Sequence, residues 1–299
     1  MQLEHIMLFS KIAEEKSISR VAQASHISQP ALSQQMQRLE EEVGQKLFER
    51  SNRGIELTEA GQVMQRYAAQ FIHIYDNFRE DMNNLSTRTG TFRVAATPVA
   101  ANYALPCSLF KVNYKFPSYN FSLVGAPSSE VIHKVQAGEA DMGFIVDKTE
   151  APGLFCTEAF SDKVYLVANS SYNVPETIAL ESLKKYPLVL LSETFSSYRL
   201  LLKYLKARGH DISQYRVLYH LDSTESVKSS VINQFGMAFL PYMAIKKEIY
   251  QKQLKVVQVQ DFDLNYDVYS IYRSKEDVGN DGVYAIIKYF ENTVKRSIC

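Results

Sequence analysis

The sequence predicts an N-terminal all-α winged helix-turn-helix continued by a long dimerisation helix, joined to a C-terminal α/β domain of two lobes. Three observations predict it. Apolar residues recur at helical spacing in the first 58 residues, where two serine-headed helices follow one another closely. A long helix then follows from Thr58 with a heptad seam from Met64 to Leu85, and from residue 91 onward strand-like and helix-like stretches alternate.

In the first helix Leu3, Ile6, Phe9, Ile12 and Ala13 give one buried face. Ser19 is placed to cap a helix beginning Arg20-Val21-Ala22. Ser28 can cap a longer one beginning Gln29-Pro30, where proline removes no helical hydrogen bond. Only Ala24-Ser25-His26-Ile27 lies between them, so Val21, Ala22, Ile27, Leu32, Met36 and Leu39 form the apolar set of a helix-turn-helix. After Gly44, residues 46–50, a turn with Gly54 and residues 55–57 read as a small β-wing.

Met64, Phe71, Phe78 and Leu85 stand seven apart, with Ala68, Tyr75 and Met82 four residues after the first three. A period of 3.5 suits a helix paired with another helix, whereas a helix on its own core drifts toward 3.6. Pairing of two chains is one reading, and packing of these aromatics on the chain's own domain is the other. Ser86-Thr87-Arg88-Thr89-Gly90 ends the helix, which divides the chain into residues 1–58, 59–90 and 91–299.

In the last part, residues 91–97, 119–125, 140–147, 163–168, 188–192, 215–221, 237–240 and 265–273 read as strands. Residues 102–114, 131–138, 198–209, 226–234 and 283–295 read as helices. The alternation predicts mostly parallel strands with helices on both faces. About 200 residues is large for one sheet. Two lobes are therefore expected, lobe I at about 91–162 with 267–299 and lobe II at about 163–266.

Composition sets the limits. The chain has 299 residues, 46% of them hydrophobic, with 33 Lys+Arg and 33 Asp+Glu, as expected of a globular protein. Its longest nearly uncharged apolar stretch, residues 235–245, contains Pro241 and falls far short of the roughly 20 residues of a membrane span. With no signal peptide in the opening residues, the expected location is the cytoplasm, with no membrane partner. Cys107, Cys156 and Cys299 lack CxxC spacing and clustered histidines, so neither a disulfide framework nor a metal site is expected. Cys107 and Cys156 are either a redox pair or buried fillers. Six scattered histidines and the lack of GxSxG, HExxH, GxGxxG and P-loop motifs predict no catalytic residue and no cofactor.

Zero net charge argues against a nucleic-acid partner, but the local charge answers that objection. Residues 16–39 hold Lys16, Arg20 and Arg38 and no acid; Glu40, Glu41 and Glu42 follow, and the wing adds Lys46, Arg50 and Arg53 against Glu49. Near the start of the second helix, Gln29, Ser33, Gln34, Gln37 and Arg38 are residues that pair with base edges, glutamine with adenine and arginine with guanine. Double-stranded DNA is the expected partner. The alternative is a cytoplasmic small-molecule-binding module whose helical hairpin contacts protein.

The run Ser28-Gln29-Pro30-Ala31-Leu32-Ser33-Gln34-Gln35, then Arg38-Leu39-Glu40, Gly44, Leu47-Phe48-Glu49-Arg50 and Leu57-Thr58-Glu59-Ala60-Gly61, with residues 9–13 and 17–22 before it, resembles the LysR-type transcriptional regulators. The resemblance extends almost end to end. It implies a coiled linker helix, an effector domain built like a periplasmic solute-binding protein, and a homodimer or homotetramer that regulates transcription under a small metabolite held between two lobes. It places Gln29, Pro30, Ser33, Gln34 and Arg38 at the groove and Arg50 and Arg53 near the backbone or minor groove. Arg20, Ser28 and Gln37 complete the candidate DNA-contacting set. The sequence departs from the family at Gln34, where arginine is frequent.

Hydroxyl residues recur where strands give way to helices: Thr97, Ser128-Ser129, Ser196-Ser197 and Ser223-Thr224. Each alone is an ordinary cap; together, at strand carboxyl ends with helix N-termini, they point to a pocket for a small anion or carboxylate. The resemblance assigns Thr97, Ser129, Ser196 and Thr224 to the ligand, with Ser223 beside them. Arg199 is either a carboxylate partner or an exposed helix arginine. A second departure, Asn233-Gln234-Phe235-Gly236, implies a crowded pocket edge.

Overall fold

The computed structural model describes residues 2–51, 54–84 and 90–296. The chain forms two compact units, Met1–Arg88 and Thr89–Cys299.

The first unit contains α1 (Leu3–Glu15), α2 (Ile18–Ala24), α3 (Gln29–Val43), the antiparallel strands β1 (Phe48–Ser51) and β2 (Gly54–Leu57), and α4 (Glu59–Asn84). Phe9, Ile12, Leu32, Leu39 and Leu47 are fully buried at its centre, and the Phe9 and Phe48 rings lie 5.0 Å apart. The start of α2 corrects the expectation for Ser19. Ser17 is the cap, accepting from the Arg20 amide at 3.3 Å, because the helix begins at Ile18, two residues earlier than expected. Ser28 caps α3 as expected, accepting from the Ala31 amide at 3.3 Å.

The Leu57-Thr58-Glu59-Ala60-Gly61 run has a physical reason. Thr58 Oγ1 donates to the Lys46 carbonyl at 2.6 Å and accepts from the Gly61 amide at 3.0 Å. A Cβ at Gly61 would lie 2.1 Å from the Leu47 carbonyl oxygen, so only glycine lets α4 pass the wing. The heptad seam divides. Ala68 is fully buried and Met64 packs on the same core, whereas Phe71, Phe78 and Met82 are 47%, 56% and 52% exposed. Leu85 lies outside the described residues.

The second unit runs β3 (Gly90–Ala96), a π-turn (Ala100–Ala104), α5 (Pro106–Lys115), β4 (Tyr119–Gly125), α6 (Ser128–Gln136), β5 (Met142–Val146) and β6 (Leu154–Asn169). It continues with β7 (Thr177–Ile178), β8 (Leu188–Leu191), α7 (Ser196–Ala207), β9 (Val217–Leu221), α8 (Thr224–Ile232), β10 (Ala238–Pro241) and α9 (Tyr242–Tyr250). It closes with β11 (Leu254–Val259), β12 (Leu264–Arg273), α10 (Lys275–Val278) and α11 (Asp281–Arg296).

In lobe I, β4, β3 and β5 are parallel and β12 joins β5 antiparallel. In lobe II, β8 and β9 are parallel, Leu188 bridges to Met237 in the same sense, and β10 and β11 pair antiparallel with β6. The 16-residue β6 belongs to both lobes: its first part pairs with β12 and its end with β10 and β11. The expectation of mostly parallel strands therefore holds within each lobe's βα units and fails at the crossing strands, which run antiparallel where they carry the chain from lobe to lobe. Five of the elements named above go beyond the sequence reading: the first half of β6, β7, β11, α9 and α10. Cys156 is a free, half-buried thiol and Cys107 is exposed on α5, so the two are not bonded to each other and neither is a buried filler.

Candidate DNA-contacting face and effector cleft

The helix-turn-helix closes tightly. His26 takes a left-handed φ of 56° and the Ile27 amide donates to the Ala22 carbonyl at 3.0 Å. Leu32, Met36 and Leu39 hold α3 by its buried side. Pro30, Ser33, Gln34, Gln37 and Arg38 consequently share the exposed side, with Ser28 and Gln29 at its head. Gln29 Oε1 accepts from the Ser19 hydroxyl at 3.0 Å, and Gln37 Nε2 donates to Glu41 at 2.9 Å. Arg20 turns back to α1, where it pairs with the Glu15 carboxylate at 3.2 Å and donates to the Glu15 carbonyl. The Arg50 backbone lies in β1. Arg53 lies outside the described residues.

Glu40 joins this face to the wing, a role the sequence reading did not assign. Its carboxylate accepts from the Leu47 and Phe48 amides at 2.8 and 3.2 Å and from Lys46 Nζ at 2.8 Å. Burial pushes the Glu40 carboxyl up, but the Lys46 ammonium and the two amides outweigh it and hold the group below its ordinary value.

In lobe I, Thr97 follows β3 and is buried, its amide donating to the Phe144 carbonyl at 3.0 Å. Beside it, the Ala126 amide donates to the Ala96 carbonyl at 2.8 Å, and Ser128 Oγ accepts from the Val146 amide at 3.2 Å. This brings the carboxyl ends of β3, β4 and β5 to one edge, with Ser129 exposed on the first turn of α6. In lobe II the Ser192 amide donates to the Leu221 carbonyl at 2.8 Å, which sets the starts of α7 and α8 side by side. Ser223 caps α8 through the Ser226 amide at 3.4 Å, and Thr224 is buried next to it.

Neither α6 nor α7 has a side-chain cap; they follow Pro127 and Phe195. Their first amides therefore remain available to a ligand. Arg199 donates to the Glu193 and Thr194 carbonyls at 2.6 and 3.2 Å and to Ser196 Oγ at 3.0 Å, which shapes the loop before α7. Ser197, read with Ser196 as one of the junction hydroxyls but not assigned to the ligand, buries its hydroxyl without a partner among the described residues. The two edges face one another: Tyr103, just after β3, donates from its hydroxyl to Glu225 on α8 at 2.6 Å.

A winged helix-turn-helix joined to a two-lobed domain with facing strand ends defines a DNA-binding regulator that senses a small molecule. Two family models match, "Bacterial regulatory helix-turn-helix protein, lysR family" over residues 3–62 and "LysR substrate binding domain" over residues 86–290. The chain belongs to the LysR family: it is a DNA-binding transcription regulator with an effector-binding domain, not an enzyme.

It is 28% identical over 264 residues to the uncharacterized HTH-type transcriptional regulator YwqM of Bacillus subtilis, covering 87% of this chain and 89% of that protein. It is 27% identical over 277 residues to a probable RuBisCO transcriptional regulator of Cyanidioschyzon merolae, covering 90% and 91%. The fold matches the crystal structure of the LysR family regulator CbnR with a TM-score of 0.74 at 19% identity, over 99% of this chain and 100% of that one. CbnR has also been solved in complex with its target DNA.

Proposed function

We propose that the exposed side of α3 reads operator bases through Gln29, Pro30, Ser33, Gln34, Gln37 and Arg38. Ser28, Arg50 and Arg53 take the backbone, and Arg20, held by Glu15, contributes at the edge. The observation that carries this reading is the division of α3 into a buried Leu32/Met36/Leu39 side and an exposed side of base-pairing residue types, with no acid from residue 16 to residue 39. Exposed Phe71, Phe78 and Met82 on α4 support pairing of two chains, which sets two heads on the half-sites of one operator.

The effector is a small anion or carboxylate between the lobes. The uncapped starts of α6 and α7, with Thr97, Ser129, Ser196 and Thr224, support it, while Ser223 and Arg199 organise the helix starts around it. Among the described residues no helix is long and apolar enough to cross a membrane, and a regulator of promoters works where the DNA is, in the cytoplasm. Residues 1–58, 59–90 and 91–299 serve as head, linker and effector domain. The test is binding of the full chain to its own upstream DNA at increasing salt. Wild type should bind specifically with an affinity that falls linearly on a log–log salt plot. A Gln29→Ala/Ser33→Ala/Arg38→Ala variant should lose the preference over unrelated DNA; equal preference in both proteins would refute the assignment.

A further inference from the structure

Tyr103 stands in the π-turn between β3 and α5. Pro106 accounts for that turn: its ring would crowd the Asn102 carbonyl in a regular helix, and the Leu105 amide instead reaches back five residues to the Ala100 carbonyl at 3.0 Å. Across the cleft, the Tyr103 hydroxyl meets Glu225, 122 residues further along the chain. Burial first, then the Glu225 carboxylate, raise the phenol well above its ordinary value, and the Thr224 hydroxyl also reaches it.

Glu225 is itself held. Lys228, one turn further along α8, binds it at 2.7 Å and binds Glu248 of α9 at 2.8 Å, while its ammonium lies 5.0 Å from the centre of the Tyr103 ring. Lys228 is almost wholly buried, so leaving either it or Glu248 unpaired would cost heavily. The buried pair therefore fixes the end of α8 that carries Glu225, and Glu225 offers the phenol a positioned, charged acceptor. Hydrogen bonds of that kind are about twice as strong as neutral ones. Thr224, a proposed ligand contact, is the neighbouring residue on the same turn.

We propose that Tyr103 is an interlobe latch: its hydroxyl fixes the start of α8, and Thr224 with it, against the end of β3, and thereby sets the width of the effector cleft. The latch is a contact of the chain with itself and stands whether or not the effector is an anion. Hydrogen–deuterium exchange of the full-length protein tests it. Tyr103→Phe keeps the ring over Lys228 and removes only the hydroxyl. Amides of residues 100–105 and 224–228 should then exchange about tenfold faster, while those of β8 keep their protection. Glu225→Gln should act on the same segments, and the double variant should go no further than the larger single effect. Unchanged exchange in Tyr103→Phe would overturn the latch, as would a rise that includes β8 equally, or single effects that multiply in the double variant. Tyr103→Phe alone decides the matter should Glu225→Gln fail to fold.

Discussion

Helix starts are built differently in the two units. In the helix-turn-helix, Ser17 and Ser28 both spend their hydroxyls on first-turn amides of α2 and α3. In the effector domain the cleft helices divide. Ser223 caps α8, and buried Asp162 reaches from β6 to the Met243 amide of α9 at 3.4 Å, whereas α6 and α7 begin without a side-chain cap although serines follow at once. A cap stabilises a helix by about 1 kcal/mol. Forgoing it leaves N–H groups and the positive end of the helix dipole open to an anion. The same residue type thus caps α2 and α3 in the head but leaves the starts of α6 and α7 uncapped in the effector domain.

The largest expected effect breaks one unit and spares the other. Gly61→Ala drives a Cβ into the Leu47 carbonyl and should cost the head roughly 3 kcal/mol, lowering the head's thermal transition while that of the effector domain stays in place. Calorimetric scans of the full chain check this. Next, Ser28→Ala should destabilise the head by about 1 kcal/mol, while Ser129→Ala, which removes no cap, leaves the effector domain's stability within about 0.5 kcal/mol. Equal losses in the two would erase the contrast.

The smallest effect concerns pH. The Glu40 carboxyl is held below its ordinary value in the folded head. Its stabilisation is therefore complete above the unfolded carboxylate value near about pH 4 and is lost as pH falls through the lower folded value. The difference in thermal midpoint between wild type and Glu40→Gln should accordingly be steady from about pH 7 to about pH 5 and shrink below about pH 4.

Periodicity made much of this legible. The helix-turn-helix, the wing and the long helix follow from local spacing, and β4 and β12 stand nearly where alternation puts them. The first half of β6 escaped because Phe155-Cys156-Thr157-Glu158 shows no clean alternation; that segment is defined by pairing with β12, more than 100 residues away. The start of α9 lay inside an apolar run that periodicity cannot assign to strand or helix. The cleft hydroxyls were visible as residue types at strand ends. Which helix starts are capped, and that Tyr103 meets Glu225, depends on tertiary placement. For the same reason the local sequence gave no sign that Arg199 would be engaged by the carbonyls of Glu193 and Thr194.

The claim that the open helix starts receive the effector is tested most directly by titration calorimetry on the full chain, with a panel of small carboxylates and inorganic oxyanions. At least one should bind wild type, and the Thr97→Ala/Ser129→Ala/Thr224→Ala variant should bind it at least tenfold more weakly, about 1.4 kcal/mol, with unfolding otherwise unchanged. Equal affinity in the two proteins would contradict the account.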